Sequence, residues 1–534
     1  MSNPIEQFDS TYKTLTYAQR QFHFRSLISS YEQSNSPYLD LIYKEYLRRY
    51  PFNSYYWNRY AQHVKNTTQS AEESEKIYQY AIQMNPRSYD LWHCYISSVK
   101  SDKNDTAEEE KVIKLIEQAL QYIGFDYNSA IYWEDLIGFY SENKEELIKL
   151  YRRALSIVTK NFDDIYEKYN AFFQFCSPDQ IKACFTAILG TQPSEGASQD
   201  SMIQQIKNNI SNYSDRTKAI SQEVQGFESK LTKTEYDGDN NELNTWNQYI
   251  TFAKAKLAPE QVIFLYEKAL ISQCDKESLW IEFFHYLESQ NQHTIALGIC
   301  RKQEGFLKYI NINNLLLQWA ELEELYQANE QAREVYKFVV SHEGENYLKN
   351  LSRWAQFEKR VSSQVENITE IYERLLSNPS QKPDVQQWAI NELCKLLAGS
   401  ERKQQALVRY IHFFESQTIN KVNYAQLLQF VSLYFSQEPN LIETLSEVYV
   451  NAINISKKNA SELKNIVNMS ISHLRTISYN INEIRITEQK IKAAENQQGQ
   501  ANGESLLKKR SIVQLVGEES INGYDSVHKH IKTN

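Results

Sequence analysis

Turn-forming residues are scarce in this chain, with 14 glycines and 10 prolines among 534 residues. An all-β protein of this length needs many more tight turns, so long helices are expected. The six cysteines (Cys94, Cys176, Cys184, Cys274, Cys300 and Cys394) include no C-x-x-C pair. That removes zinc-ribbon and thioredoxin-type sites. Most of them lie in apolar helical patterns, where a free thiol acts as a small hydrophobe. No apolar run reaches the ~20 residues of a membrane helix. The start, MSNPIEQFDSTYKTLTY, has no charged segment followed by an apolar one, so no secretory leader is expected. A reducing compartment, cytosol or nucleus, follows.

Cations are not in excess either: the net charge is −9 and the pI about 5.7. Coating a nucleic acid requires clustered Lys and Arg, because affinity comes largely from counterion release. A global RNA coat is therefore excluded, although a local basic patch is not. Arg48–Arg49 and Arg152–Arg153 are candidate phosphate contacts. Phosphate-binding glycine loops and the G-x-S-x-G elbow are absent. HEGEN (342–346) lacks the second His of a zinc helix, His528 and His530 make only a weak metal pair, and AEEEK (107–111) reads as a solvated helix face. No catalytic residue, metal, cofactor, small-molecule substrate or membrane association is expected.

What is present is a period. The eight tryptophans lie at 57, 92, 133, 246, 280, 319, 354 and 388, with spacings of 35, 41, 113, 34, 39, 35 and 34. The long gap is about three periods, and Tyr166 takes the tryptophan slot 33 residues after Trp133. A repeat of this length signals stacked supersecondary units. Three residues on from successive slots stand Tyr60, Tyr95, Leu136, Tyr169, Tyr249, Phe283, Leu322 and Phe357. An i, i+3 spacing puts both side chains on one helical face.

About 17 to 21 residues on, a second signature appears, an aromatic with alanine three residues later, as in Tyr78/Ala81, Tyr151/Ala154 and Tyr266/Ala269. A large side chain facing a small one lets two helices approach ridge into groove. Tyr336 and Tyr372 hold that aromatic place in two near-copies, WAELEELYQANEQAREVYKFVV and WAQFEKRVSSQVENITEIYERLL, and Tyr449/Ala452 repeats it later. Pro86, in NPRS (85–88), stands just past one such helix, where it cannot extend it; SPDQ (177–180) and NPSQKP (378–383) are further loops. Each unit is a helix hairpin whose apolar face only its neighbours bury, which makes an all-α solenoid. Trp57, Trp92, Trp133, Trp246, Trp280, Trp319, Trp354 and Trp388, with their partners, are read as scaffold.

Trp-x-x-Tyr on one helix, Tyr-x-x-Ala on the next and a following Pro resemble half-a-tetratricopeptide (HAT) repeats, relatives of TPR repeats. The ordered blocks YLDLIYKEYLRRYPFNSYYWNRYAQHVK and NTWNQYITFAKAKLAPEQVIFLYEKALISQCDKESLWIEFFHYLE are similar to the pre-mRNA-processing factor 39 family over about residues 10–495. The resemblance implies a nuclear, non-catalytic splicing scaffold of the U1 small nuclear ribonucleoprotein that supports 5′ splice-site recognition. It implies U1 proteins as partners, U1 RNA indirectly, and dimerisation of the C-terminal repeats with a second copy or a paralogue. HAT scaffolds of 3′-end cleavage and of the spliceosome core are alternatives. A more remote one is the protein prenyltransferase α-subunit, whose repeats favour Arg where this chain has an aromatic or Leu after Trp.

An N-terminal array is expected over 1–185, a loop and long linking helix over 186–243, a C-terminal array over 244–495 and a disordered tail over 496–534. Apolar periodicity lapses over 186–201; then Ile203, Ile206, Ile210, Tyr213, Ile220, Val224 and Phe227 recur at helical steps over about seven turns. One long helix is expected there, with two degenerate repeat helices as the alternative. The family's pattern is departed from around 190–243. Val467, Leu474, Ile477, Ile481, Ile484 and Ile491 follow a heptad interrupted by Ser470 and Glu488, a candidate helix for a dimer or partner, with packing on its own array as the alternative. In the tail, KKR (508–510) is a weak import signal.

Overall fold

The computed structural model describes residues 4–12, 14–34, 36–100, 106–231, 242–310, 312–342, 346–361, 365–377, 382–399, 406, 409–410, 413, 421–435, 441–456, 460–478 and 480–496. The tail beyond Asn496, with its KKR triplet and its two histidines, lies outside these residues, as do 378–381 and 232–241. Every described regular element is a helix.

The repeat appears as consecutive helix pairs. Ser54–Thr68 packs on Ala71–Met84, Tyr89–Lys100 on Thr106–Ile123, and Ala130–Phe139 on Lys144–Ala154. After the linking helix come Leu243–Lys256 with Pro259–Ser272, Glu277–Ser289 with His293–Lys302, and Asn313–Leu325 with Asn329–Ser341. Local chemistry sets the ends. Asn53 and Ser70 accept the backbone N–H groups of Tyr56 and Glu73 as N-caps, and Ser177 forms a capping box with Gln180. Gly190 closes Pro178–Leu189 at φ +73°, a conformation that costs glycine little.

The linking segment is one helix, Gln199–Glu228, so the reading as two degenerate repeat helices is set aside. Its 30 residues extend about 45 Å. The irregular stretch before it is shorter than 186–201, because the capping box and Gly190 carry the preceding helix through Leu189. Met202, Ile206, Ile210, Ser214, Thr217 and Val224 are the buried stripe, whereas Tyr213 is exposed. The helix packs on Pro178–Leu189 and Leu243–Lys256.

Two compact units emerge, Met1–Ser341 and His342–Asn534, and the first holds the linking helix together with the repeats on both sides of it. The reason is visible in the first unit, where helices from 259–310 fold back onto those from 17–126. Tyr50 and Tyr309 join hydroxyls at 3.1 Å, and Phe52 meets Phe306 edge-on at 5.2 Å. Gly305 lies so close to Arg48 that a Cβ would stand 3.0 Å from its Cγ.

In the second unit, Tyr347–Val361 pairs with Val365–Ser377, and Leu441–Ser456 packs on both Ala460–Ile477 and Ile481–Asn496. The continuous heptad helix expected over 467–491 is therefore two helices. Ser478 and Asn480 break it by turning their side chains onto local groups: Ser478 Oγ donates to Glu483 and accepts from the Asn480 N–H.

Candidate functional site

The tryptophan slot is a repeated hydrogen-bonded device. Trp57, Trp92 and Trp280 each donate their indole N–H to the carbonyl six residues earlier, those of Pro51, Pro86 and Cys274, at 2.8, 2.9 and 2.7 Å. Each indole thus fastens its helix to the loop before it while filling the core. Trp133 reaches the Gly124 carbonyl and Trp246 the Ser272 hydroxyl. Trp319 and Trp354 donate instead to Glu323 and Glu358, four residues on, at 2.8 and 3.2 Å. Both carboxylates are buried, and Arg301 forks onto Glu323 at 2.9 and 2.6 Å. Burial opposes ionisation of Glu323, but these donors outweigh it and hold its carboxyl below the ordinary range.

Tyrosines of both signatures are buried rings, and several pair their hydroxyls with acidic or amide side chains. Tyr60, Tyr95 and Tyr266 donate to Asp40, Glu75 and Glu282 at 2.7, 2.6 and 2.9 Å, and Tyr78 to Asn58 at 2.5 Å. Burial pushes the Tyr78 hydroxyl up to about 12. Ala81, Ala154 and Ala269 are fully buried, with Tyr151, Tyr249, Tyr336 and Tyr372. Trp354, Trp388 and Pro86 are only half-buried. Tyr166, in the tryptophan slot, is half-buried too, with the Lys218 ammonium 5.1 Å from its ring.

The arginine pairs differ: Arg48 and Arg49 are held by carboxylates, whereas among the described residues Arg152 and Arg153 make ring and carbonyl contacts only. Arg49 is buried between Asp9 and Glu45, at 2.5 and 2.8 Å, and Arg48 also pairs with Glu45. Arg152 stacks on Tyr213 and Arg153 on Trp133. The thiols are free, and burial holds Cys184 up at about 12. Among the described residues no group of three His, Cys, Asp or Glu is placed to hold a metal, and no helix is long and apolar enough to cross a membrane.

Sequence reading missed the seam of the first unit. Arg20 lies 4.4 Å over the Tyr309 ring, Arg87 pairs with Glu267 at 2.6 Å, and Gln303 donates to the Met84 carbonyl at 2.6 Å. At its centre Lys268 bridges Asp126 at 3.1 Å and Glu228 at 3.0 Å, joining an N-terminal loop, the linking helix and the C-terminal array. Burial alone would lower the Lys268 ammonium's pKa; the two carboxylates reverse that and raise it. No periodic signal marks these residues.

The candidate partner helix is divided in role. Val467, Leu474 and Ile491 are buried within their own unit, Ile477 and Ile484 are half-buried, and Ile481 is 59% exposed. The heptad's interruptions tie the two helices down: Ser470 meets the Tyr424 hydroxyl at 2.6 Å, and Glu488 pairs with Arg475 at 2.7 Å. Ile486, outside the heptad, is 55% exposed.

Two family models match in chain order: PRP39 N-terminal HAT repeat over residues 11–171 and PRP39 C-terminal HAT repeat over 222–360. The chain is 23% identical over 331 residues to pre-mRNA-processing factor 39 of Danio rerio, covering 54% of this chain and 44% of that protein. It is 21% identical over 345 residues to the Schizosaccharomyces pombe protein of that name (60% and 56%), and 22% over 324 residues to the human one (54% and 48%). It spans about half the length of these relatives. Solved helical-repeat structures, the TPR domain of P58(IPK) and yeast Tom70, match at 9% and 11% identity over 84% and 90% of this chain and 99% and 96% of theirs. Their TM-scores are 0.17 and 0.21, so the courses of the chains do not superpose.

Proposed function

Because this chain belongs to the pre-mRNA-processing factor 39 family, we propose that it is a non-catalytic scaffold of pre-mRNA splicing. Within that role it holds protein components of the U1 particle in the nucleus and helps the particle engage the 5′ splice site. The observation that carries the reading is the ordered match of both family models. Solenoids act by presenting extended surfaces, and here the repeat signatures are spent on the core and Arg48–Arg49 on carboxylates, which supports binding through ordinary surface residues. Contact with U1 RNA is then indirect. The C-terminal hairpin, with Ile481 and Ile486 exposed, docks on a second copy or a paralogue.

The test is a tagged pull-down from nuclear extract with hybridisation of the co-purifying small RNAs. Enrichment of U1 RNA that survives moderate salt, yet disappears when U1 proteins are stripped, is the expected result. Absence of U1 together with 3′-end cleavage factors would move the scaffold to polyadenylation.

A further inference from the structure

The seam of the first unit borders an open cleft of about 380 Å³, within the size range of ligand sites, which favour such seams. Three stretches wall it, with Phe125 and Tyr249: residues 213–224 of the linking helix, the turn at 156–158, and residues 256–265, where one helix of the C-terminal array ends and the next begins. Its floor is apolar, with Ile157, Val224, Phe264 and Leu265 all buried.

The rim has one sign of charge. Arg216 and Lys256 both line the cleft and both are exposed, while none of its lining residues is acidic. Neighbouring cations are engaged: Lys268 with two carboxylates, Lys254 with Glu282, Arg152 on the Tyr213 ring and Lys218 on Tyr166. Arg216 and Lys256 have no ion pair or hydrogen bond among the described residues. In a chain of net charge −9, two unpaired cations flanking an apolar hollow are complementary to a bulky apolar group carried between carboxylates.

We propose that this cleft docks a linear segment of a partner protein in which an aromatic or leucine side chain fills the hollow and flanking Asp or Glu residues meet Arg216 and Lys256. A nucleic-acid strand fits less well, because tracking a backbone takes a run of cations, whereas only two unpaired cations border this hollow. The docking does not depend on which particle holds the chain.

The test is selection of a random dodecapeptide library on phage against the full chain, counter-selected on the Arg216→Glu/Lys256→Glu variant. Recovered peptides are then titrated as fluorescein conjugates, beside a labelled oligouridylate of the same length. Expected are peptides with Asp or Glu next to an aromatic or Leu, whose affinity falls about tenfold or more on charge reversal. Ala219→Trp, which fills the cleft from an exposed lining position without changing charge, should weaken them comparably. Both variants should melt with the parent. The proposal is overturned if no recovered peptide discriminates parent from variant, if the recovered peptides are basic, or if the oligouridylate binds more tightly than any peptide. A failure to recover U1 RNA in the pull-down would leave these outcomes unchanged.

Discussion

Replacing Lys268 by methionine removes one charge from a site whose two carboxylates have almost no access to water. The side chains of Asp126 and Glu228 are 2% and 7% exposed, and each lies about 3 Å from the ammonium. Methionine keeps most of the aliphatic packing, so the change isolates the charge. Breaking a buried ion pair by removing one partner costs about 3–5 kcal/mol, mostly as uncompensated desolvation of what is left behind. In a unit of this size that lowers the melting temperature by on the order of 5–10 °C. Differential scanning calorimetry of the full chain reads it, and only the transition of the first unit should move. Adding Glu228→Gln to Lys268→Met should recover part of the loss, and adding Asp126→Asn most of the rest, since a buried ionic cluster is worth little against a neutral replacement. A single variant that melts within a degree of the parent, or a triple variant no better than the single, would refute this reasoning.

In the second unit, Ser432 Oγ donates to the Leu428 carbonyl at 2.9 Å, so it accepts from His473 Nε2 at 2.6 Å, and His473 Nδ1 then accepts from Tyr449 at 2.7 Å. Burial holds this imidazole's pKa below its ordinary value; the unfolded chain therefore takes the proton first, and stability falls as pH drops below about 6.5, by up to ~1.4 kcal/mol per pH unit. Urea unfolding between pH 7.5 and 5.5 should show that slope, and His473→Asn should remove it. Gly124 stands just past the helix Thr106–Ile123 and its carbonyl accepts the Trp133 indole, so Gly124→Ala puts a Cβ 2.3 Å from the helical Leu120 carbonyl oxygen; a loss of about 2–4 kcal/mol is expected by thermal melting, and an unchanged melt would show that the turn shifts freely. Ile481→Glu with Ile486→Glu should give a folded monomer by light scattering, and a persisting dimer would exclude that hairpin as the interface.

The legible parts were those that repeat. Trp57, Trp92 and Trp280 could be placed because the same contact recurs at a near-constant spacing, and one face of each hairpin must find a neighbour. The linking helix was legible from its apolar stripe, although Met202 and not Ile203 is the buried residue at its start, a shift of one position that periodicity does not fix. The C-terminal heptad misled because Ser478 and Asn480 end a helix through side-chain hydrogen bonds that the apolar pattern does not register.

The sequence by itself determined the helical class, the period and the order of the repeats, because each follows from local spacing. Tertiary structure alone decided where the arrays meet. Tyr50 finds Tyr309, Gln303 finds Met84 and Arg87 finds Glu267 across separations of 259, 219 and 180 residues. Each such contact occurs once, so no period announces it. The same holds for Arg216 and Lys256: in sequence they are two cations among 58, and only the fold puts them at one cleft without partners.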